Sequence, residues 1–281
     1  MKLKQKLAIK FIRLKFKALT ILSTRKTAEK AFELFCTPFL KTQNREPAIF
    51  KSAEFLSFNL DGIKINGYRW NKDKEHKILI LHGFGSAAHN FYQYISSFID
   101  KGYQVLAFDA PAHGLSEGAT VNARQYGEMI EKVCSLYGPI DSFLAHSFGG
   151  MALSLALEKM PHDAKTKIVF IAPATETTTA VDEAFKILQI TDEAVRAAFD
   201  KIIFEKSGHQ TAWFSIKRAL ENIKATILWI HDEDDDITPL KDALKVKEQN
   251  FKNIEFVITK GLGHRKIYRD SNIKNMVVNF L

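Results

Sequence analysis

The sequence predicts an α/β protein in which helices cover both faces of a mostly parallel sheet. Two observations lead to this prediction. Short, continuous apolar runs, typical of strands that are buried on both faces, recur along the chain, and stretches with helical periodicity separate them. Because strands that alternate with helices favour parallel pairing, we expect these runs to form one sheet.

The predicted elements begin with a hairpin. Residues 53–70 alternate apolar and polar side chains on either side of Asp61-Gly62, a dipeptide that strongly indicates a tight hairpin turn. Buried strands follow at 77–82, 103–110, 140–147, 167–173, 225–231 and 254–259. Helical patterns lie between the early strands, at 90–101, 122–137 and 150–160.

One interval contains no pattern of a buried strand. Between Pro173 and Ala225 the sequence shows only helical patterns, near 176–190, 191–206 and 210–222. Helices inserted between two strands are typical of a lid over the carboxyl edge of the sheet, where ligands bind in open α/β proteins. We therefore predict one α/β domain over residues 46–281 with a small helical lid inserted at 174–224.

The basic character of the chain is confined to its beginning. Residues 1–28 hold nine Lys or Arg and no acid, and the formal charge falls from +8 to −1 when these nine are set aside. This distribution argues against a nucleic-acid-binding fold. The two cysteines, Cys36 and Cys134, are far apart, which argues against a disulfide framework or zinc site and favours a reducing, cytoplasmic location.

Residues 1–45 are predicted to form a basic amphipathic helical extension. Charges interrupt its apolar run too often for a signal peptide or a membrane span. At helical spacing, one stripe holds Leu3, Leu7, Phe11, Leu14, Ala18 and Ile21, and another holds Lys2, Lys6, Lys10, Arg13 and Lys17. Two alternatives stay open: peripheral contact with the inner membrane surface through residues 1–26, or packing on the domain with a solvated face.

The segment Ala145-His146-Ser147-Phe148-Gly149 joins a predicted strand to a predicted helix. Small residues two positions before and after a serine suit a sharp turn that exposes the hydroxyl as a nucleophile, but Ser147 could equally cap the helix. Upstream, His82-Gly83-Phe84-Gly85 ends a buried strand. The backbone N–H groups of Phe84 and Phe148 could together stabilise an oxyanion, although a simple glycine turn also fits these residues.

These motifs resemble the α/β-hydrolase superfamily over about residues 50–281. The HGFG segment is similar to the oxyanion loop of that family, and residues 145–150 (AHSFGG) are similar to its nucleophile elbow. Residues 109–116 (DAPAHGLS) are similar to its D-x-P-G-x-G-x-S loop, in which we interpret the polar side chains as loop-shaping. Ala112 and Ala145 stand where the family usually has glycine, and neither change removes a functional group.

The resemblance implies that an acid and then a histidine follow the nucleophile along the chain. The segment DEDDDITP is similar to the family pattern G-x-x-D-x-x-x-P, which places the acid on Asp235, with Asp232 at the glycine position and Pro239 at the proline. Asp234 and Asp236 are alternatives within a run of like residues. His264 comes after Gly263 and matches the G-H of the family. We therefore predict Ser147, Asp235 and His264 as the catalytic residues.

The function that the resemblance implies is hydrolysis of a carboxylic ester or thioester through an acyl-enzyme on Ser147, with no metal or cofactor. Aromatic side chains favour an apolar or lipid-like acyl group, although we expect most of them to pack in the core. They are Phe84 and Phe148 near the serine, and Phe185, Phe199, Phe204, Trp213 and Phe214 in the insertion. A C–C bond hydrolase, an acyltransferase and an inactive relative that acts as a binding protein are the alternatives, because a fold does not fix the reaction.

Overall fold

The apolar runs of the sequence form the predicted sheet. The structure is a computed structural model that describes residues 3–38 and 47–281, with side chains from residue 9 onward. The strands are β1 (Glu54–Leu60), β2 (Ile63–Trp70), β3 (Lys77–Leu81), β4 (Gln104–Phe108), β5 (Ser142–His146), β6 (Lys167–Ile171), β7 (Thr226–Asp232) and β8 (Ile254–Thr259). The helices are α1 (Leu3–Leu22), α2 (Thr24–Phe35), α3 (Tyr92–Asp100), α4 (Ala123–Tyr137), α5 (Phe148–Leu157), α6 (Thr177–Leu188), α7 (Glu193–Ser207), α8 (Ile216–Ala219), α9 (Leu240–Lys247), α10 (Gly263–Lys266) and α11 (Ser271–Phe280).

Within the described residues the strands form one eight-stranded sheet in the order β1-β2-β4-β3-β5-β6-β7-β8. β1 pairs with β2 and β2 with β4 in antiparallel fashion, and every other pairing is parallel. The hairpin turns at Asp61 and Gly62, whose positive φ angles of 47° and 86° are those of a tight type I′ turn. The predicted mostly parallel α/β fold is thus confirmed.

The chain folds into two compact units. The sheet unit covers the described residues of 38–175 and 216–281, and side chains on both faces of its central strands are buried. The helical unit combines residues up to Thr37 with Glu176–Ser215, so that the N-terminal helices and the inserted helices belong together. The predicted boundary at residue 45 lies outside the described residues.

Phenylalanines form the centre of the helical unit. Phe199 of α7 is almost completely buried, and its ring centroid lies 5.8 Å from Phe32, 5.9 Å from Phe35 and 5.2 Å from Phe185. Phe32 and Phe35 belong to α2, so this core joins the beginning of the chain to the insertion. At least two aromatic side chains of the predicted lid therefore pack within the unit.

The helix predicted at 210–222 is broken into short pieces. Residues 211–213 form a single 3₁₀ turn in the helical unit, whereas α8 and the turn at 220–222 belong to the sheet unit. There Ile216 and Leu220 are buried, and Arg218 forms an ion pair with Glu158 at the end of α5. No helix of the described residues is both long and apolar enough to cross a membrane.

Candidate active site

The turn between β5 and α5 holds Ser147 in a strained conformation. Its φ of 53° and ψ of −120° fall outside the regions that L-residues ordinarily occupy. The turn also needs glycines after the serine, since a Cβ on Gly149 would lie 2.8 Å from the carbonyl oxygen of His82 and one on Gly150 2.7 Å from the Cβ of Pro173. Ala145, in contrast, is fully buried in the first position of the motif. A Cβ is therefore accommodated at that position.

The structure brings the three predicted catalytic residues together. The Oγ atom of Ser147 lies 2.9 Å from Nε2 of His264, and Nδ1 of His264 lies 2.8 Å from Oδ2 of Asp235. All three side chains are buried. The hydroxyl of Ser147 thus faces the imidazole and does not cap α5, which disagrees with the capping alternative.

The loop after β7 holds the carboxylate of Asp235 in place. Oδ1 accepts backbone N–H groups from Ile237, at 2.9 Å, and Thr238, at 2.8 Å, and the Thr238 hydroxyl lies 2.9 Å from Oδ2. Burial favours the neutral acid, but hydrogen bonds from His264 and from the loop outweigh it and lower the pKa of Asp235. Of the two alternatives, Asp234 accepts the N–H of Gly261 and Asp236 is exposed.

Asp232 is a site residue that the sequence pattern did not reveal. It is fully buried at the end of β7, and its carboxylate accepts the N–H groups of Leu262, at 3.2 Å, and Gly263, at 2.8 Å. It also accepts the Thr259 hydroxyl at 2.6 Å. These bonds fix the backbone immediately before His264. The only sequence signal was a charged residue at a position where the resembling pattern has glycine.

His146 supports His264 from the side of the elbow. Its Nε2 lies 3.2 Å from the backbone oxygen of His264, and the two ring centroids are 4.8 Å apart. Burial and then the charge of the neighbouring His264 lower the pKa of His146 to about 3. A neutral His146 donates Nε2–H to that oxygen without opposing a positive charge on His264. Its place beside the serine in the motif was the only signal in the sequence.

The two predicted oxyanion donors lie on two segments of backbone that meet at Ser147. A Cβ on Gly83 would come within 2.9 Å of the Cβ of Ser147, so the loop that carries Phe84 touches the elbow. The rings of Phe84 and Phe148 pack edge to face with centroids 5.6 Å apart. Phe148 is the first residue of α5, where a backbone N–H has no partner within the helix. Both N–H groups are thus carried by backbone next to Ser147.

The loop at residues 109–116 holds the loop of Phe84 in place through hydrogen bonds. Nε2 of His113 accepts the N–H of Gly85 at 2.8 Å, and Oδ1 of Asp109 accepts that of Ala88 at 2.9 Å. Ala112, where the resembling family usually has glycine, adopts a φ of 65°, which explains the family preference. These contacts are the loop-shaping role expected of the polar residues.

His82 should make stability depend on pH. Its Nε2 accepts the N–H of Ala110 at 3.0 Å and its Nδ1–H donates to the oxygen of Gly83 at 2.8 Å, and burial lowers the pKa of His82 to about 4. Since the unfolded chain binds this proton near pH 6.5, the free energy of unfolding should fall between about pH 6.5 and 4, by up to about 1.4 kcal/mol per pH unit. Urea titrations at several pH values measure the free energy of unfolding. Over this pH range it should fall less steeply with decreasing pH for His82→Gln than for the parent, and an equally steep fall would contradict the prediction.

Comparison with known proteins identifies the family. The family model described as serine aminopeptidase, S33, matches residues 72–212, half of the chain. The chain belongs to the serine aminopeptidase S33 family. The matched span includes Phe84 and Ser147 but ends before Asp235 and His264. These two residues are included in the candidate site because of their hydrogen bonds to each other and to Ser147.

Individual proteins are similar to this chain in sequence or in fold. A Mycoplasma pneumoniae protein that carries an esterase/lipase name is 24% identical over 229 residues, which cover 69% of this chain and 84% of that protein. The solved Pyrococcus furiosus esterase Pf2001 has a TM-score of 0.67 and 17% identity, with 87% of this chain and 98% of that chain covered. Mouse alpha/beta hydrolase domain-containing protein 10 has a TM-score of 0.60 and 16% identity, with 81% and 96% covered. The predicted membership of the α/β-hydrolases is confirmed, and the protein is a hydrolase.

Proposed function

We propose that this hydrolase cleaves carboxylic esters or thioesters through an acyl-enzyme on Ser147. The observation that carries the proposal is the continuous chain of hydrogen bonds from Ser147 through His264 to Asp235. A serine hydroxyl is a weak nucleophile until a neighbouring base can remove its proton as it attacks. The imidazole at 2.9 Å is in position to do so, and the carboxylate beyond it orients the ring.

In the first half of the proposed reaction, Oγ of Ser147 bonds to the acyl carbon while its proton passes to Nε2 of His264. The oxyanion accepts the N–H groups of Phe84 and Phe148, and Asp235 stabilises the imidazolium. The tetrahedral intermediate then collapses, and His264 gives the proton to the departing alcohol or thiol. In the second half, water attacks the acyl carbon with His264 again as base, which releases the acid and restores Ser147.

Aromatic side chains at the nucleophile support an apolar acyl group. The same residues that are proposed to donate to the oxyanion, Phe84 and Phe148, place their rings against each other beside Ser147. Phe84 remains 39% exposed, so apolar surface is left for a substrate to cover. Each acyl methylene that this surface removes from water should contribute about 0.8 kcal/mol to transition-state binding.

A panel of p-nitrophenyl esters of increasing acyl length tests this proposal. We expect kcat/KM to rise by up to about fourfold per methylene until the apolar surface is filled. Phe84→Ala keeps the backbone N–H and should flatten the rise, whereas Phe55→Ala, at an exposed position on β1, should not. Aminoacyl p-nitroanilides belong in the panel because the family description names an aminopeptidase, and we expect them to be poorer substrates. Equal rates for all acyl lengths would contradict the apolar acyl group, and no cleavage of any ester would contradict esterase activity.

We further propose that the enzyme works in the cytoplasm at the inner membrane surface, which it contacts through residues 1–26. The nine basic residues and the absence of acids over residues 1–28 support this location, because the cytoplasmic leaflet is anionic. An enzyme held at that surface would meet lipid-like esters at high local concentration.

A further inference from the structure

Helix α1 has two apolar faces, and only one of them is used for folding. Phe16 is 5% exposed, and Ile9, Ile12 and Leu19 are half-buried on the same side. On this side α1 contacts α2 and α6, and Nε of Arg13 donates to the oxygen of Ile187 at 2.9 Å. The helix is thus attached to the helical unit through residues other than the apolar stripe that the sequence predicted.

The predicted stripe instead lies on the opposite side of α1. Its described members form, with Leu22, the exposed stripe: Phe11, Leu14, Ala18, Ile21 and Leu22. Phe11, Leu14, Ile21 and Leu22 are 70%, 68%, 81% and 79% exposed, and no other large apolar side chain of the described residues is as exposed. The predicted members Leu3 and Leu7 lie outside the described side chains. Because α1 is already packed through its other face, folding gives no reason for this apolar surface.

Basic side chains border the exposed stripe. At helical spacing, Lys10 and Lys17 lie along one edge of it and Lys15 along the other. All three are exposed and form no ion pair within residues 9–38 and 47–281. Arg25, by contrast, is paired with Glu29 and Glu205. An apolar strip between rows of cations fits a surface that is apolar inside and anionic at its boundary.

We propose that the exposed stripe docks on anionic phospholipid, with Phe11, Leu14, Ile21 and Leu22 inserted among the acyl chains and Lys10, Lys15 and Lys17 at the headgroups. This deepens the proposed function by naming the surface and the lipid class, and it rests on the proposed membrane location but not on the chemistry at Ser147. A second copy of the chain is a poorer occupant, because pairing two stripes would bring lysines together with no acid within residues 1–28 to offset them. Since the other face of α1 packs on α2 and α6, docking would hold the helical unit at the bilayer.

Co-sedimentation of the full chain with vesicles tests the proposal. The Ser147→Ala protein is used, so that binding is measured without hydrolysis. We expect it to sediment with phosphatidylcholine vesicles that contain phosphatidylglycerol, to stay in solution with phosphatidylcholine alone, and to be released by salt. Phe11→Gln/Ile21→Gln should lower partitioning at least about tenfold, because each substitution removes a large apolar side chain from the bilayer. Lys10→Gln/Lys15→Gln/Lys17→Gln should abolish the preference for anionic vesicles.

The matched control is Leu136→Gln/Met276→Gln, which removes two exposed apolar side chains from α4 and α11 and should sediment like the parent. Circular dichroism checks that every variant is folded. Equal sedimentation of the parent and Phe11→Gln/Ile21→Gln would overturn the proposal. The proposal would also be overturned if the parent did not bind vesicles and instead formed dimers that these two substitutions dissociate. With catalytically intact Ser147, hydrolysis of a short soluble ester should be unchanged by the α1 substitutions, which separates failure of docking from failure of the proposed chemistry.

Discussion

Replacing Ser147 with alanine is expected to lower kcat for a p-nitrophenyl ester by roughly 10⁴-fold or more. The substitution removes Oγ, the atom that would bond to the acyl carbon. The imidazole of His264, 2.9 Å from that atom in the parent, then has no serine hydroxyl to deprotonate. Stability should change little, because the hydroxyl does not cap α5 and its removal only deletes a bond to His264. Steady-state kinetics on purified protein measure the effect.

Labelling with a fluorophosphonate shows whether the loss is chemical. The parent should gain one equivalent of the reagent by mass, and Ser147→Ala should gain none. Ser97→Ala, which removes a hydroxyl that bonds to the Gln93 oxygen on α3, is the matched control and should label fully. A parent that does not label would favour the inactive binding protein. A Ser147→Ala protein that still labels would place the nucleophile elsewhere.

The central strands of the sheet were predictable because they are buried on both faces. Runs such as residues 77–82 are continuous apolar stretches, and β3 is correspondingly almost inaccessible to solvent from Ile78 to Leu81. The hairpin was predictable for a different reason, since Asp61-Gly62 suits a turn with two positive φ angles. In both cases a pattern of neighbouring residues is enough to predict the element that forms.

The union of the N-terminal helices with the insertion was not predictable in the same way. Phe32 and Phe199 lie far apart along the chain, and each fits an ordinary apolar helix face that any partner could cover. The second apolar face of α1 was hidden for a related reason. Its stronger stripe suggested one interface, and the weaker set around Phe16 is the one that packs.

The candidate site was predictable to the extent that its residues follow strand ends in a fixed order. Ser147, Asp235 and His264 come after three parallel strands, whose carboxyl ends share one edge of the sheet. The residues that support them were not predictable, because a hydrogen bond to backbone leaves no motif. Asp232 is the first of five consecutive acids, and only the structure shows that its carboxylate reaches Gly263.

Replacing Asp235 with asparagine is the second change with a large expected effect, a loss of kcat of roughly 10³- to 10⁴-fold. The carboxylate accepts Nδ1–H of His264 at 2.8 Å, which leaves Nε2 free to take the serine proton. An asparagine amide in the same place would donate to Nδ1 and stabilise the tautomer that carries its proton on Nε2. The ring would keep its position and lose its function as a base, so kcat should fall far more than KM changes.

Asp236→Asn is the matched control, since it makes the same chemical change one residue away on an exposed side chain and should leave kcat unchanged. Asp234→Asn should act weakly, through the bond to the N–H of Gly261. Kinetics of the three variants on one ester therefore assign the acid within a run of like residues. Only a carboxylate that accepts Nδ1–H of His264 keeps the imidazole in the tautomer that can act as a base. If Asp235→Asn retained the parent kcat while a neighbouring variant lost it, that neighbour would therefore be the acid, despite the 2.8 Å distance between His264 and Asp235.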